Sequence, residues 1–330
     1  MNLHENPTLF RDSIAFTAQE LNILDIYIEK DYWVTYALHL IFHNDIGKET
    51  VFKGGTALSK CFGIIQRFSE DIDLVVLRHE GESGNQLKTK LKKITELVAK
   101  SLTEKEEPGI TNKLGVIRKV AYEYPKLFEG VFGQVREVIV IEATWLGRYE
   151  PYNTQQVSSY IYEMMVKTGQ EKLVAEYNLL PFKVKVLHVN RTICEKIMSL
   201  VRFSYGENPI EDLKNKIRHT YDLHQLLSEP TIKIFFDHFT FYEMLLKVAN
   251  DDVESFKNNN SWLAYHPKEA LIFRETEKTW KELERTYSQE FSNLVYGELP
   301  PAEDVLATLK EISERLQDIK WNIDPNKVEE

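Results

Sequence analysis

Two cysteines in 330 residues, Cys61 and Cys194, are too few and too far apart for a disulfide framework or a thiolate zinc site. Both read as core thiols, the usual habit of free cysteine. Long apolar runs are missing as well: no stretch approaches the roughly 20 uninterrupted apolar residues of a membrane-spanning helix. The opening MNLHENPTLFRD lacks the charged-then-apolar layout of a secretory leader, so a cytoplasmic chain without a membrane partner is expected. Repeats, low-complexity tracts and Gly/Ser linkers are also absent, which favours packed lobes over domains on a string. Nor is there an excess of positive charge. With 41 Lys and Arg against 51 Asp and Glu the formal charge is −10, which excludes a protein that coats nucleic acid with its whole surface.

What is there is enough apolar material for a sizeable core, 43% hydrophobic and 12% aromatic, in a chain long enough for two lobes. Residues 17 to 43 show helical spacing through Leu21, Leu24, Ile28, Trp33, Ala37, Leu38 and Ile41. Val51 to Lys53 reads as a short strand, Ala57 to Ile65 as a helix and Ile72 to Leu77 as a second strand. Asn85 to Leu102 is amphipathic, with Leu87, Leu91, Ile94 and Val98 on one face. Strand signals follow, strongest in the β-branched run from Glu137 to Glu142 and again in PFKVKVLHV, Pro181 to Val189. After Asn190 the spacing turns helical. The expected architecture is therefore α/β (α+β), a mixed-sheet lobe over 1–190 followed by a mainly helical lobe over 191–330. One local asymmetry stands out: from Lys183 to His224, eight Lys or Arg face five Asp or Glu inside an acidic chain.

The stretch FKGGTALSKCFGIIQRFSEDIDLVV, residues 52 to 76, concentrates the chemistry. Side chains alternate along a strand, so Asp71 and Asp73 share a face while Ile72 and Leu74 enter the core. Two such close carboxylates raise each other's pKa unless a cation intervenes. Hard oxygen ligands with retained water suit Mg²⁺, or Mn²⁺, bound through carboxylates plus substrate phosphates. Upstream, a strand that ends in Gly54-Gly55-Thr56 and enters a helix offers backbone N–H groups to an anion, with Thr56 as hydroxyl donor and cap. Fourteen residues separate Thr56 from Asp71, enough for a short helix and a return strand, which puts phosphate site and metal site side by side. Glu142, closing the apolar strand Val138 to Ile141, is the expected third carboxylate, with Glu137 as the alternative. Three acids of this kind would hold two metals for in-line displacement at phosphorus.

The pattern Gly55-Thr56, fourteen residues, Asp71-Ile72-Asp73 and a later acid resembles the nucleotidyltransferase superfamily that includes DNA polymerase β. More narrowly, FKGGTALSK with RFSEDIDL resembles the AbiEii/AbiGii nucleotidyltransferase toxins of abortive-infection systems. Three more blocks agree: EKDYWVTYAL from Glu29, VKVLHVNRTICEKIMSL from Val184 and RHTYDLHQLL from Arg218. The resemblance runs from residue 29 to residue 227. It implies catalytic positions at Asp71, Asp73, Lys196 and Asp222, with Glu142 joining them by strand logic. Nucleotide contacts are implied at Lys53, Gly54, Gly55, Thr56 and Lys196, and metal ligands at Asp71, Asp73 and Glu142. Lys30 and Asp31 match too and are read as buttresses of the Gly54 turn. His219 and His224, five apart, share no helical face with a third ligand, so zinc is excluded.

The implied activity is transfer of a nucleoside monophosphate from an NTP to an acceptor, RNA or tRNA, by the toxin of a toxin–antitoxin pair with a cognate antitoxin. Lys183 to Arg218 is the expected bed for the nucleotide and the RNA. A protein or small-molecule acceptor, a catalytically silent scaffold and a phosphohydrolase are the alternatives.

Overall fold

Seven strands pair into one mixed sheet in the order β3-β4-β5-β2-β1-β7-β6. They are β1 (Thr50–Lys53), β2 (Ile72–Val76), β3 (Thr103–Lys105), β4 (Ile117–Glu123), β5 (Ile139–Thr144), β6 (Tyr152–Val157) and β7 (Phe182–Leu187). This computed structural model describes residues 1–69, 71–130, 135–147 and 149–326. The central pairs follow the hydrophobic pattern: β1 and β2 run antiparallel, β2 and β5 parallel, β5 and β4 antiparallel, and β1 and β7 parallel. β5 carries β-branched residues that are buried on both faces, as an interior strand requires. The expected α/β class is present.

Helices cover this sheet. Gly84–Val98 starts with a capping box, in which Ser83 and Gln86 satisfy each other's orphan donors, and buries Leu87, Leu91, Ile94 and Val98 against β2, β4 and β5. The stretch read as one helix over 17–43 is in fact two, Pro7–Leu21 and Asp25–Phe42. Asn22 takes the left-handed conformation, φ 53°, and ends the first, a role that its short polar side chain tolerates well.

The chain folds into two compact units: Met1–Gly63, Arg67–Trp145 and Tyr152–Val186 form the first, and Ile64–Gln66, Leu146–Pro151 and Leu187–Glu330 the second. The second is built of helices among its described residues, chief among them Val189–Phe203, Ile217–Ser228, Thr240–Ser255 and Ala302–Leu316. Val189–Phe203 buries Ile193, Ile197, Leu200 and Val201 against the helices Ile217–Ser228 and Thr240–Ser255. Cys194 is buried in this unit, whereas Cys61 is only half-buried in the first.

Candidate active site

One rung crosses four strands of the sheet. Lys53 on β1 is the cross-strand partner of Asp73 on β2, Asp73 of Glu142 on β5, and Glu142 of Lys119 on β4. Paired positions project on the same face, so the rung reads cation, anion, anion, cation. Glu142 does not close its strand as expected from the apolar run; Ala143 and Thr144 continue β5, and the carboxylate pairs with the Lys119 ammonium at 2.9 Å. Two residues before Asp73, Asp71 accepts two hydrogen bonds from Arg136 Nη1, at 3.1 and 2.9 Å. Arg136 and Lys119 were not foreseen from the sequence. Lys119 had a signal in hindsight, since a register that aligns β4 with β5 places it opposite Glu142.

Asp73 carries the electrostatic strain. Burial, then the Glu142 and Asp71 carboxylates, push its pKa up to about 7, against the opposing pull of Lys53 and Lys119. Such a carboxyl holds its proton near neutrality unless further positive charge arrives.

The glycine turn faces this acid. Gly54 has φ +83°, in the left-handed region, and a Cβ there would overlap the Asp73 carboxylate, so both conformation and space demand glycine. At Gly55 a Cβ would come within 2.7 Å of Arg67 Nη2 and 2.9 Å of Ser69 Oγ. The helix Gly54–Phe62 therefore begins at the glycines themselves, three residues earlier than the periodicity predicts, and ends on left-handed Gly63. Its first turn has no side-chain cap, which leaves backbone N–H groups for another acceptor. Thr56 is buried, and its hydroxyl donates to the Asp71 carbonyl at 2.6 Å and accepts from the Ser69 hydroxyl at 3.1 Å. It ties the helix to the start of β2 and is turned inward, where the expectation had it donating to phosphate.

The EKD stretch supports the same elements from below. Glu29, Lys30 and Asp31 are buried on the helix Asp25–Phe42. Glu29 accepts from the Leu127 amide at 2.6 Å and the Phe128 amide at 3.2 Å. Lys30 donates to the carbonyl of Arg136, the residue whose guanidinium holds Asp71. Asp31 pairs with Lys60 at 2.5 Å and accepts from the Tyr160 amide at 2.9 Å. Lys60 sits on the helix that starts at Gly54, so Asp31 fixes that helix through its last turn.

In the second unit, Lys196 and Asp222 are buried and joined at 2.6 Å, with His219 Nδ1 3.4 Å from the ammonium. Asp222 thus accepts from a lysine 26 positions upstream in the sequence. Part of the basic segment is ion-paired, some of it inside and some at the surface. Arg191 is buried against Glu195 at 3.0 Å and Asp251 at 2.6 Å, and Lys214 pairs with Glu211 at 2.7 Å. His224 bonds Thr308 at 2.9 Å and stands apart from any ligand cluster among the described residues.

Among the described residues no three His, Cys, Asp or Glu side chains are gathered at metal-binding distance. The donor chemistry nonetheless suits a hard divalent cation: two carboxylates opposed on adjacent strands, a third two residues away, and a raised Asp73 pKa that a cation would relieve. Asp71, Asp73 and Glu142 would hold it, with Arg136 and Lys119 giving way.

This mixed sheet with its surrounding helices is the fold of a nucleotidyltransferase toxin. The structure of MenT4, a nucleotidyltransferase toxin from Mycobacterium tuberculosis, matches with a TM-score of 0.56 and 15% identity over 93% of this chain and 90% of that one. A family model, the nucleotidyl transferase AbiEii toxin of type IV toxin–antitoxin systems, matches residues 38–311, and the chain belongs to that family. No curated protein sequence matches it. No helix among the described residues is long and apolar enough to cross a membrane.

Proposed function

We propose that this toxin transfers a nucleoside monophosphate from an NTP to an RNA acceptor, tRNA included, with Mg²⁺ or Mn²⁺ held by Asp71, Asp73 and Glu142. The rung that sets Asp73 against Glu142, beside a glycine turn with an uncapped helix start, carries the reading. The glycines let the triphosphate approach the first-turn N–H groups, and Lys53 adds positive charge at the end of β1. The metal supplies charge neutralisation at the reacting phosphorus. Asp73, once ionised, and Glu142 would orient it, and in this reading Glu142 takes the acceptor's proton. The family resemblance also implies nucleotide-handling roles for Lys196 and Asp222, which pair at 2.6 Å in the second unit. The family implies an antitoxin partner, and the chain acts in the cytoplasm.

Purified protein is to be incubated with Mg²⁺ and each labelled NTP, with and without total RNA. Label should enter RNA, and Asp73→Ala should reduce it by at least about 100-fold, as expected when a charge-stabilising group is removed. Label on protein or on a small molecule would replace the RNA acceptor. The ion pairs of Asp71 with Arg136 and Glu142 with Lys119 favour one second reading, a catalytically silent binding relative. That reading requires no transfer at all and growth arrest that survives Asp73→Ala.

A further inference from the structure

The second unit contains a cavity of about 390 Å³ to which the proposed chemistry gives no role. Its size falls in the range of small-ligand sites, roughly 300–1,000 Å³. The walls are aromatic. Tyr205 and Tyr265 stack with ring centroids 5.3 Å apart and planes 14° from parallel, and Phe256 and Trp262 meet at 6.3 Å. Tyr265 remains 57% exposed, so its ring has area left to offer.

Three polar features separate this cavity from an ordinary apolar dent. The Arg202 guanidinium, part of the wall, lies 4.0 Å over the Phe256 ring and 4.7 Å over Phe203, and the Lys216 ammonium, just outside the wall, lies 4.7 Å over the same Phe203 ring. Asp212 lies against Gly206 so closely that a Cβ at Gly206 would overlap its carboxylate. The Tyr205 hydroxyl is buried without a hydrogen-bond partner, an unfavourable state that an arriving partner would relieve.

Flat rings beside two cations, a carboxylate and an unsatisfied hydroxyl match a nucleotide better than other small ligands. An aromatic cage for an ammonium group is disfavoured, because Arg202 and Lys216 already cover ring faces and would repel a third cation. A purely apolar ligand leaves Asp212 and the Tyr205 hydroxyl unanswered. A base stacks on a tyrosine, its exocyclic amine donates to a carboxylate, and its phosphate meets the cations.

We propose that this cavity holds one unstacked base of the RNA acceptor, with Tyr265 as the stacking platform, Asp212 accepting from the exocyclic amine, and Arg202 and Lys216 meeting the adjoining phosphate. This rests on the RNA-acceptor reading above.

The test measures binding of a fluorescent, roughly ten-nucleotide single-stranded RNA by anisotropy, with the full chain and no NTP, so that no chemistry intervenes. Tyr265→Ala should weaken binding about tenfold and Tyr265→Trp should retain it, as stacking platforms behave. Because Tyr265 is exposed, neither change threatens the fold. Tyr205→Phe, which removes only the hydroxyl, should cost about threefold to tenfold. An abasic oligomer of equal length should bind as weakly to the parent as RNA binds to the Tyr265→Ala protein. Unchanged affinity in Tyr265→Ala, or equal binding of the abasic oligomer, overturns the site. A 5′-mononucleotide that binds as tightly as the oligomer overturns the RNA assignment in favour of a free nucleotide. Labelled transfer to RNA with a Tyr265-independent affinity would sink the cavity alone, whereas Tyr265-dependent binding without transfer would sink only the catalytic reading.

Discussion

Asp73 and Glu142 stand directly opposite one another on neighbouring parallel strands, and each has a lysine on its outer side, Lys53 beside Asp73 and Lys119 beside Glu142. The two acids cannot both ionise freely at this spacing, and the lysines offset only part of the repulsion. Burial first, and this repulsion second, keep the Asp73 proton on up to about pH 7.

Its pH dependence follows. The pKa of Asp73 rises from 3.8 in the unfolded chain to about 7 in the folded one, so between these values the folded state binds the extra proton. Stability contributed by this group falls as pH climbs from about 4 to about 7, and the whole penalty is present above that. Asp73→Asn cannot ionise. It should therefore melt several degrees above the parent at pH 8, a gain of up to about 4 kcal/mol, and alongside it near pH 3.5. Identical melting curves at pH 8 would contradict the strained rung.

Ligand protection should share that pH dependence. An NTP supplied with Mg²⁺ is expected to raise the melting temperature more at pH 8 than at pH 5.5, because the proton on Asp73 competes with the cation. At about 100 times the Kd, protection approaches about 2.7 kcal/mol. Glu142→Gln should abolish most of it. Equal protection at both pH values would remove Asp73 from the cation site.

Gly54→Ala places a side chain in the left-handed region and against the Asp73 carboxylate. A destabilisation of about 1–3 kcal/mol is expected, with loss of nucleotide binding by calorimetry. Gly63→Ala is the comparison: it shares the positive φ, 64°, but its Cβ meets nothing within 4 Å. That protein should lose about 1 kcal/mol and keep its nucleotide affinity. Equal loss of affinity in both would mean that the turn acts only through fold stability.

The buried pairs have to be split to separate structure from chemistry. Lys196→Met leaves Asp222 buried without its cation and should cost about 3–5 kcal/mol, as should Asp31→Leu at Lys60. Lys196→Met combined with Asp222→Leu should recover most of the stability, measured by urea unfolding. Transfer activity should stay absent from that double variant. Recovered activity would make the pair purely structural.

The sequence showed the α/β class through its periodicities, and the Gly-Gly-Thr turn and D-x-D through their spacing. Their mutual approach was legible because strand, helix and strand leave few ways to connect. Charge partners were not. Arg136 reaches Asp71 and Lys196 reaches Asp222 across 65 and 26 positions, distances at which sequence carries no pairing signal. Helix limits erred where one residue's backbone overrides periodicity, at left-handed Asn22 and at Gly54. The basic run Lys183 to Arg218 read as a bed for nucleotide and RNA, yet Arg191 and Lys196 are buried in ion pairs, a fate that net charge does not reveal.

Once Asp73 is ionised, the rung of Lys53, Asp73, Glu142 and Lys119 sums to no net charge, while its proton leaves the rung with a positive excess, and Asp71 with Arg136 adds none. A bare divalent ion is thus met by little overall attraction, while a triphosphate alone brings phosphates toward two carboxylates. Only the two arriving as one complex satisfy both halves of the site, so nucleotide and metal should enter in a single concerted uptake, and the empty toxin should be indifferent to swings in free cellular magnesium.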